Sequence, residues 1–194
     1  AMRTAILDFL AAGKGIVGIH AASDNFYDWE EGAEIMGGQF NGHPWNAKGR
    51  WAFQLDDPEH PVNKAFEGEG FWLQDEIYQY RPDTFAGAKK IRILVSLDMQ
   101  KDEVTDILAD GKHREKSLKD YGTEGARQVP VSWVQEYGGG RVFYTNLGHN
   151  DLTFANAAVL RHVLDGIQYA LGDLEADASP TGDSPAAPVP APAE

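Results

Sequence analysis

The sequence predicts an α/β domain built on an open, mainly parallel central sheet. Three observations carry that prediction. The runs Ile16-Val17-Gly18-Ile19 and Ile91 to Leu97 are short, apolar and β-branched, as strands buried on both faces are. Helical periodicity marks both ends of the domain: Ile6, Phe9 and Leu10 share a face between Arg3 and Ala12, and Val159, Val163, Ile167 and Ala170 recur between Thr153 and Leu171. His20 directly follows the first run, ahead of the small residues Ala21 and Ala22 and the cap formers Ser23, Asp24 and Asn25. A polar side chain on a sharp turn at the carboxyl end of a buried strand is where open α/β sheets place their sites. The nucleophile elbow of hydrolases has this shape with Ser or Cys at the turn; here the residue is histidine.

The other elements follow in order. Gly13 stops the first helix. A doubly wound domain ordinarily has a strand before such a helix, so the opening strand or strands are expected to be missing. Asp28 caps a helix in which Trp29, Ala33 and Met36 share a face, ended by Gly37-Gly38. Trp51 to Leu55 alternates as a half-buried strand does, and the prolines of Asp57-Pro58-Glu59-His60-Pro61 make a turn. Phe71 to Tyr80 reads as an aromatic strand holding Asp75-Glu76. Residues 98–127 read as a charged excursion over the surface with one helical turn. Val129 to Gln135 and Arg141 to Leu147 flank Glu-Tyr-Gly-Gly-Gly, a hairpin signal. The α/β domain is therefore assigned to residues 1–172. Residues 173–194, rich in Pro, Ala and acids, are expected to form a disordered tail.

Composition excludes several functions. A net charge of −13 without a dense basic cluster argues against nucleic acid as a partner. No apolar run reaches membrane-spanning length. With no cysteine, thiolate catalysis, disulfides and sulfur-ligated metals are unavailable. The compartment stays open, and no nucleotide cofactor is expected.

Three histidines stand beside glycines or turns rather than on a periodic apolar face: His20, His43 and His149. Strand ends in an open sheet converge on one crevice, so His20 and His149 are expected to approach each other. Neutral imidazoles serve as acid/base groups and as metal ligands. Asp75 and Glu76 alternate in direction if they lie in a strand, so one faces the crevice; Glu76 is assigned there. The candidate catalytic set is His20, His149 and Glu76. The candidate metal ligands are His20, His43 and His149, and adding Glu76 or Asp75 would give a mixed nitrogen and oxygen set of the kind that binds a divalent ion such as zinc. Asp24, Tyr27, His43, Trp45, Asp75 and Trp133 form the candidate sugar-binding set, because aromatic faces stack on sugar C–H faces while carboxylates take the hydroxyls. Each histidine has a plainer alternative, bonding to nearby backbone. That is the preferred reading for His60, while His113 and His162 are expected to be solvated. Ser23 has no base at motif spacing.

The succession GKGIVGIHAASDNFYDW, GGQFNGHP, DPEHPV, DEIYQY and VPVSWVQEYGGGRVFYTNLGH, spread from about Gly13 to Gly172, resembles the trehalose-utilisation (ThuA-like) family. The resemblance implies a flavodoxin-like three-layer sandwich related to class I glutamine amidotransferases. His20 then falls where an amidotransferase has its cysteine and His149 near where it has its histidine, and without the cysteine glutaminase activity is not inherited. It further implies use of trehalose or related disaccharides, including 3-keto derivatives. The expected function is a carbohydrate-processing protein of the hydrolase, lyase or isomerase type, acting by acid/base or divalent-metal chemistry on a sugar. The alternatives are a non-catalytic sugar-binding module and a structural subunit that self-associates through the Gly138–Gly140 hairpin.

Overall fold

A computed structural model describes residues 1–87, 89–107, 129–182 and 187–193. Six segments pair into one sheet: β1 (Gly15–Ile19), β2 (Arg50–Leu55), β3 (Phe71–Gln74), β4 (Arg92–Leu97), β5 (Pro130–Tyr137) and β6 (Gly140–Thr145), in the spatial order β1-β6-β5-β4-β2-β3. Only β1 and β6 run parallel; the other neighbours are antiparallel. The α/β class holds, and the mainly parallel sheet is corrected to a mixed one. The run in β4 is buried on both faces, whereas β1 lies at the sheet edge and is only partly buried, and neither run encodes the direction of its neighbour. Direction is set by the connections. Gly138 (φ 59°) and Gly139 (φ 93°) make a two-residue turn that folds β6 back on β5 with Tyr137 opposite Gly140; both central residues at positive φ give the turn type whose twist suits a hairpin.

Helices α1 (Met2–Ala11), α2 (Glu30–Met36), α3 (Asp102–Thr105) and α4 (Ala157–Leu171) complete the described elements. The alternation of side chains along the strands sorts the core into two layers. Trp133, Val142 and Tyr144 face α1 and α2 with Leu10, Ile35 and Met36, whereas Val134 and Phe143 face α4 and the turn Pro61–Phe66 with Val62, Phe66, Val159 and Tyr169. Asn156 caps α4 by accepting from Ala158 and Val159 N–H, and Gly172 ends it at φ 86°. No helix among the described residues is long and apolar enough to cross a membrane.

Two expectations change. Asp98, Met99 and Val104 are buried, so the start of the 98–127 segment is core; residues 108–127, with His113, lie outside the described residues. The tail is not free where it is described. Leu174, Ala176 and Ala178 pack on the core at a spacing of two, Val189 exchanges both backbone hydrogen bonds with Leu55, and Trp72 Nε1–H donates to the Pro192 carbonyl. Composition counts the apolar residues of a segment and misses that they alternate.

Candidate functional site

The one parallel pair of strands positions the site. Because β1 and β6 run side by side, their carboxyl ends lie together, and His20 Nε2 comes within 3.2 Å of His149 Nδ1. His20 opens the turn His20–Ser23 with φ 42°, a conformation that non-glycine residues adopt at a cost of order 1 kcal/mol. The turn is held from beneath: Tyr144 Oη–H donates to the His20 carbonyl at 2.8 Å and lies 2.8 Å from Ser23 Oγ. Ser23 is thus a buried latch, its hydroxyl engaged by Tyr144 Oη and the His20 carbonyl. His20 Nδ1–H donates to the Asn146 carbonyl at 2.6 Å. That bond fixes the tautomer and leaves the Nε2 lone pair facing the crevice.

Glu76 arrives from beyond β3, in a segment that is not a strand. Its Oε2 lies 3.5 Å from His20 Nε2 and 3.1 Å from His149 Nδ1, and its Oε1 lies 3.3 Å from His43 Nδ1. Glu76 and His20 are nearly buried (side chains 11% and 9% exposed), whereas His149 and His43 stand at the rim at 43% and 53%. His20, Glu76 and His149 can together hold a metal ion, their ligand atoms all lying within 4.8 Å of one another. The carboxylate is thus the oxygen donor of the group, and His43 contacts its second oxygen.

Residues 39–45 and 77–81 are zipped together, with Asn41 N–H donating to Gln79, Gln79 to Gly42 and Ile77 to Trp45. On this ribbon Tyr78 is packed 4.2 Å from the His20 ring, its hydroxyl pKa pushed up to about 12 by burial and then by the carboxylates of Glu76 and Asp24. Asp24 accepts a hydrogen bond from Tyr27 Oη–H, and burial together with that bond takes the Tyr27 pKa to about 12. Both residues are exposed and lie near Tyr78.

Three assigned positions fall elsewhere. Trp45 and Trp133 are fully buried, with indole N–H groups donating to Val104 and Met36 carbonyls, so they are core. A tryptophan beside a glycine looks like a pocket wall until its N–H finds a buried carbonyl. Asp75 is likewise fully buried, and its oxygens accept from backbone N–H groups. Asn146 was missed: besides fixing His20, its side chain accepts from Tyr78 N–H and donates to Tyr80 Oη at 2.6 Å. The signal was available, since an amide closing a buried strand must find partners. His162 is fully buried too, donating from Nδ1–H to the Val62 carbonyl and accepting from Ser132 Oγ–H.

A family model described as trehalose utilisation, ThuA, matches residues 1–170. The chain belongs to the ThuA family. Among solved structures it is similar to a ThuA-like protein of Bacteroides uniformis (TM-score 0.60, 22% identity, 87% of this chain and 62% of that one). It is also similar to a ThuA-like protein of Parabacteroides merdae (TM-score 0.58, 18% identity, 88% of this chain and 65% of that one). At these identities the likeness concerns the fold, and this ThuA chain spans less than two thirds of either solved chain. No curated protein matches it.

Proposed function

We propose that this ThuA chain processes a sugar, trehalose or a related disaccharide including 3-keto forms, at a divalent-metal site made by His20, Glu76 and His149. One observation carries the reading: three atoms that bear lone pairs converge with too few protons to join them. His20 Nδ1–H is committed to Asn146, so in the neutral ring its Nε2 can only accept; Glu76 only accepts as a carboxylate. A neutral His149 brings at most one proton to the cluster, and the 3.5 Å contact between His20 and Glu76 has none. A cation resolves this. Zinc bonds of about 2.0–2.1 Å place tetrahedral ligand atoms about 3.3 Å apart, and the three separations here are 3.1, 3.2 and 3.5 Å. Three protein ligands with a fourth position open is the pattern of catalytic zinc.

When bound there, such an ion would supply a Lewis acid able to polarise a sugar hydroxyl or carbonyl oxygen. The residues do the rest. Glu76 keeps Oε1 for His43 Nδ1–H, which turns His43 Nε2 outward to exchange a proton with the substrate. Asp24 and Tyr27 at the rim offer a carboxylate and an aromatic face to a sugar ring. The same cluster carrying an extra proton instead of a metal is an acid/base pair, and experiment separates the two. Elemental analysis of untagged protein, purified without added metal, should find near-stoichiometric metal that a His20→Ala, His149→Ala variant lacks. Absence of metal from wild type, with turnover of trehalose or its 3-keto form retained, would replace the metal by acid/base chemistry.

A further inference from the structure

We infer that Asp75 is the positioning residue that sets the spacing between Glu76 and His149, an inference that rests on the metal-holding reading of the site. Asp75 is fully buried, and its carboxylate is engaged by three backbone amides. Oδ1 accepts from Glu76 N–H and Asn150 N–H, both at 3.0 Å, and Oδ2 accepts from Gly148 N–H at 2.6 Å. One of these amides belongs to Glu76 itself and the other two flank His149. A single anion therefore ties the segment after β3 to the loop after β6, beside the Glu76–His149 contact and the Asn150 amide bond to the Gln74 carbonyl. Hydrogen bonds to an ionised acceptor are short and strong, so the tie is stiff. The loop has little freedom on its other side: Gly148 adopts φ 120°, and a Cβ there would meet Phe154 Cζ at 2.8 Å and Ile19 Cγ2 at 3.2 Å.

An asparagine at position 75 keeps one acceptor and turns an NH2 group toward an N–H. With Oδ1 still taking two amides, the mismatch falls on Gly148, and His149 moves with it. Residues that orient metal ligands without touching the metal typically cost about 10–100-fold in affinity when altered. Burial alone would cost stability and leave the ligand geometry as it was.

The test is titration of metal-free protein with cobalt(II), whose visible absorption reports coordination geometry, with a chelator competition for affinity. Wild type should give the intense band of a four-coordinate site. Asp75→Asn, shown to be folded by circular dichroism, should bind about 10–100-fold more weakly with an altered band. A variant with wild-type affinity and band would overturn the inference even if its melting temperature fell, and would leave the metal reading standing. Wild type that binds no cobalt would remove the metal reading and this inference with it. Amide exchange in the metal-free wild type decides the matter if the variant does not fold: Gly148 and Asn150 N–H should be protected like strand amides, and loop-like exchange at both overturns the assignment.

Discussion

At the scale of single residues, hydrogen bonds decide which histidine nitrogens are left facing the crevice. His20 spends one nitrogen on Asn146 and keeps the other, whereas His162 spends both, on Val62 and Ser132. Burial holds the His162 pKa down at about 4, and burial also lowers that of His60, whose Nε2–H holds the Asp177 carbonyl. The folded His162 thus binds its proton more weakly than the unfolded one, at about 6.5. Between those values the unfolded chain takes up more protons, so stability falls as the pH drops from about 6.5 to about 4 and is unaffected by this group above that window. His162 alone should contribute about 3 kcal/mol to that fall. NMR titration of its ring checks the value, and a ring titrating near 6.5 would refute it. Tyr144→Phe removes the donor beneath the strained His20 turn and should cost about 1–2 kcal/mol in urea unfolding. An unchanged midpoint would mean that the turn stands without it. His20 was singled out in the sequence because it directly follows an apolar run, and His149 because it comes just past the end of one. The strand assumption allowed one of Asp75 and Glu76 to face the crevice; residues 75–80 are not a strand, and Glu76 is the one beside His20 and His149. Trp45, Trp133 and Asp75 were misplaced because exposure is decided by which distant chain closes over a residue, which spacing does not contain.

At the scale of elements, strand positions were readable because burial on two faces leaves an apolar run. Pairing direction was not readable, because it depends on how the connections cross. Helix α4 shows what sets such a packing. A Cβ at Gly166 would meet the Phe143 ring at 2.3 Å, so the glycine lets the helix lie directly on β6. Gly166→Ala should therefore destabilise by about 1–3 kcal/mol despite alanine's better helix propensity. A gain in melting temperature would show that the helix can shift at no cost.

At the scale of the whole molecule, the tail is part of the fold. Arg92 joins Asp57 at 2.7 Å and Asp177 at 2.8 Å, Thr181 Oγ1 accepts from Ile93 N–H, and Ala191 N–H donates to Asp98. Truncation after Gly172 should lower the melting temperature by about 4–8 °C, the shift expected for about 2 kcal/mol in a domain of this size. An unchanged melting temperature would make the tail a passenger. The proposed metal binding should survive truncation, since no contact joins His20, Glu76 or His149 to the described part of the tail.

His20 and His149 lie 129 residues apart in the chain and meet through the one parallel pair of strands. Contacts of such long range form late, after most of the loop-closure entropy has been spent. A chain still emerging from the ribosome carries His20 without His149 over that interval and cannot complete the triangle of His20, Glu76 and His149. On the proposed metal reading, capture of the ion and the end of folding would be a single event, and metal content in a preparation would count the molecules that finished.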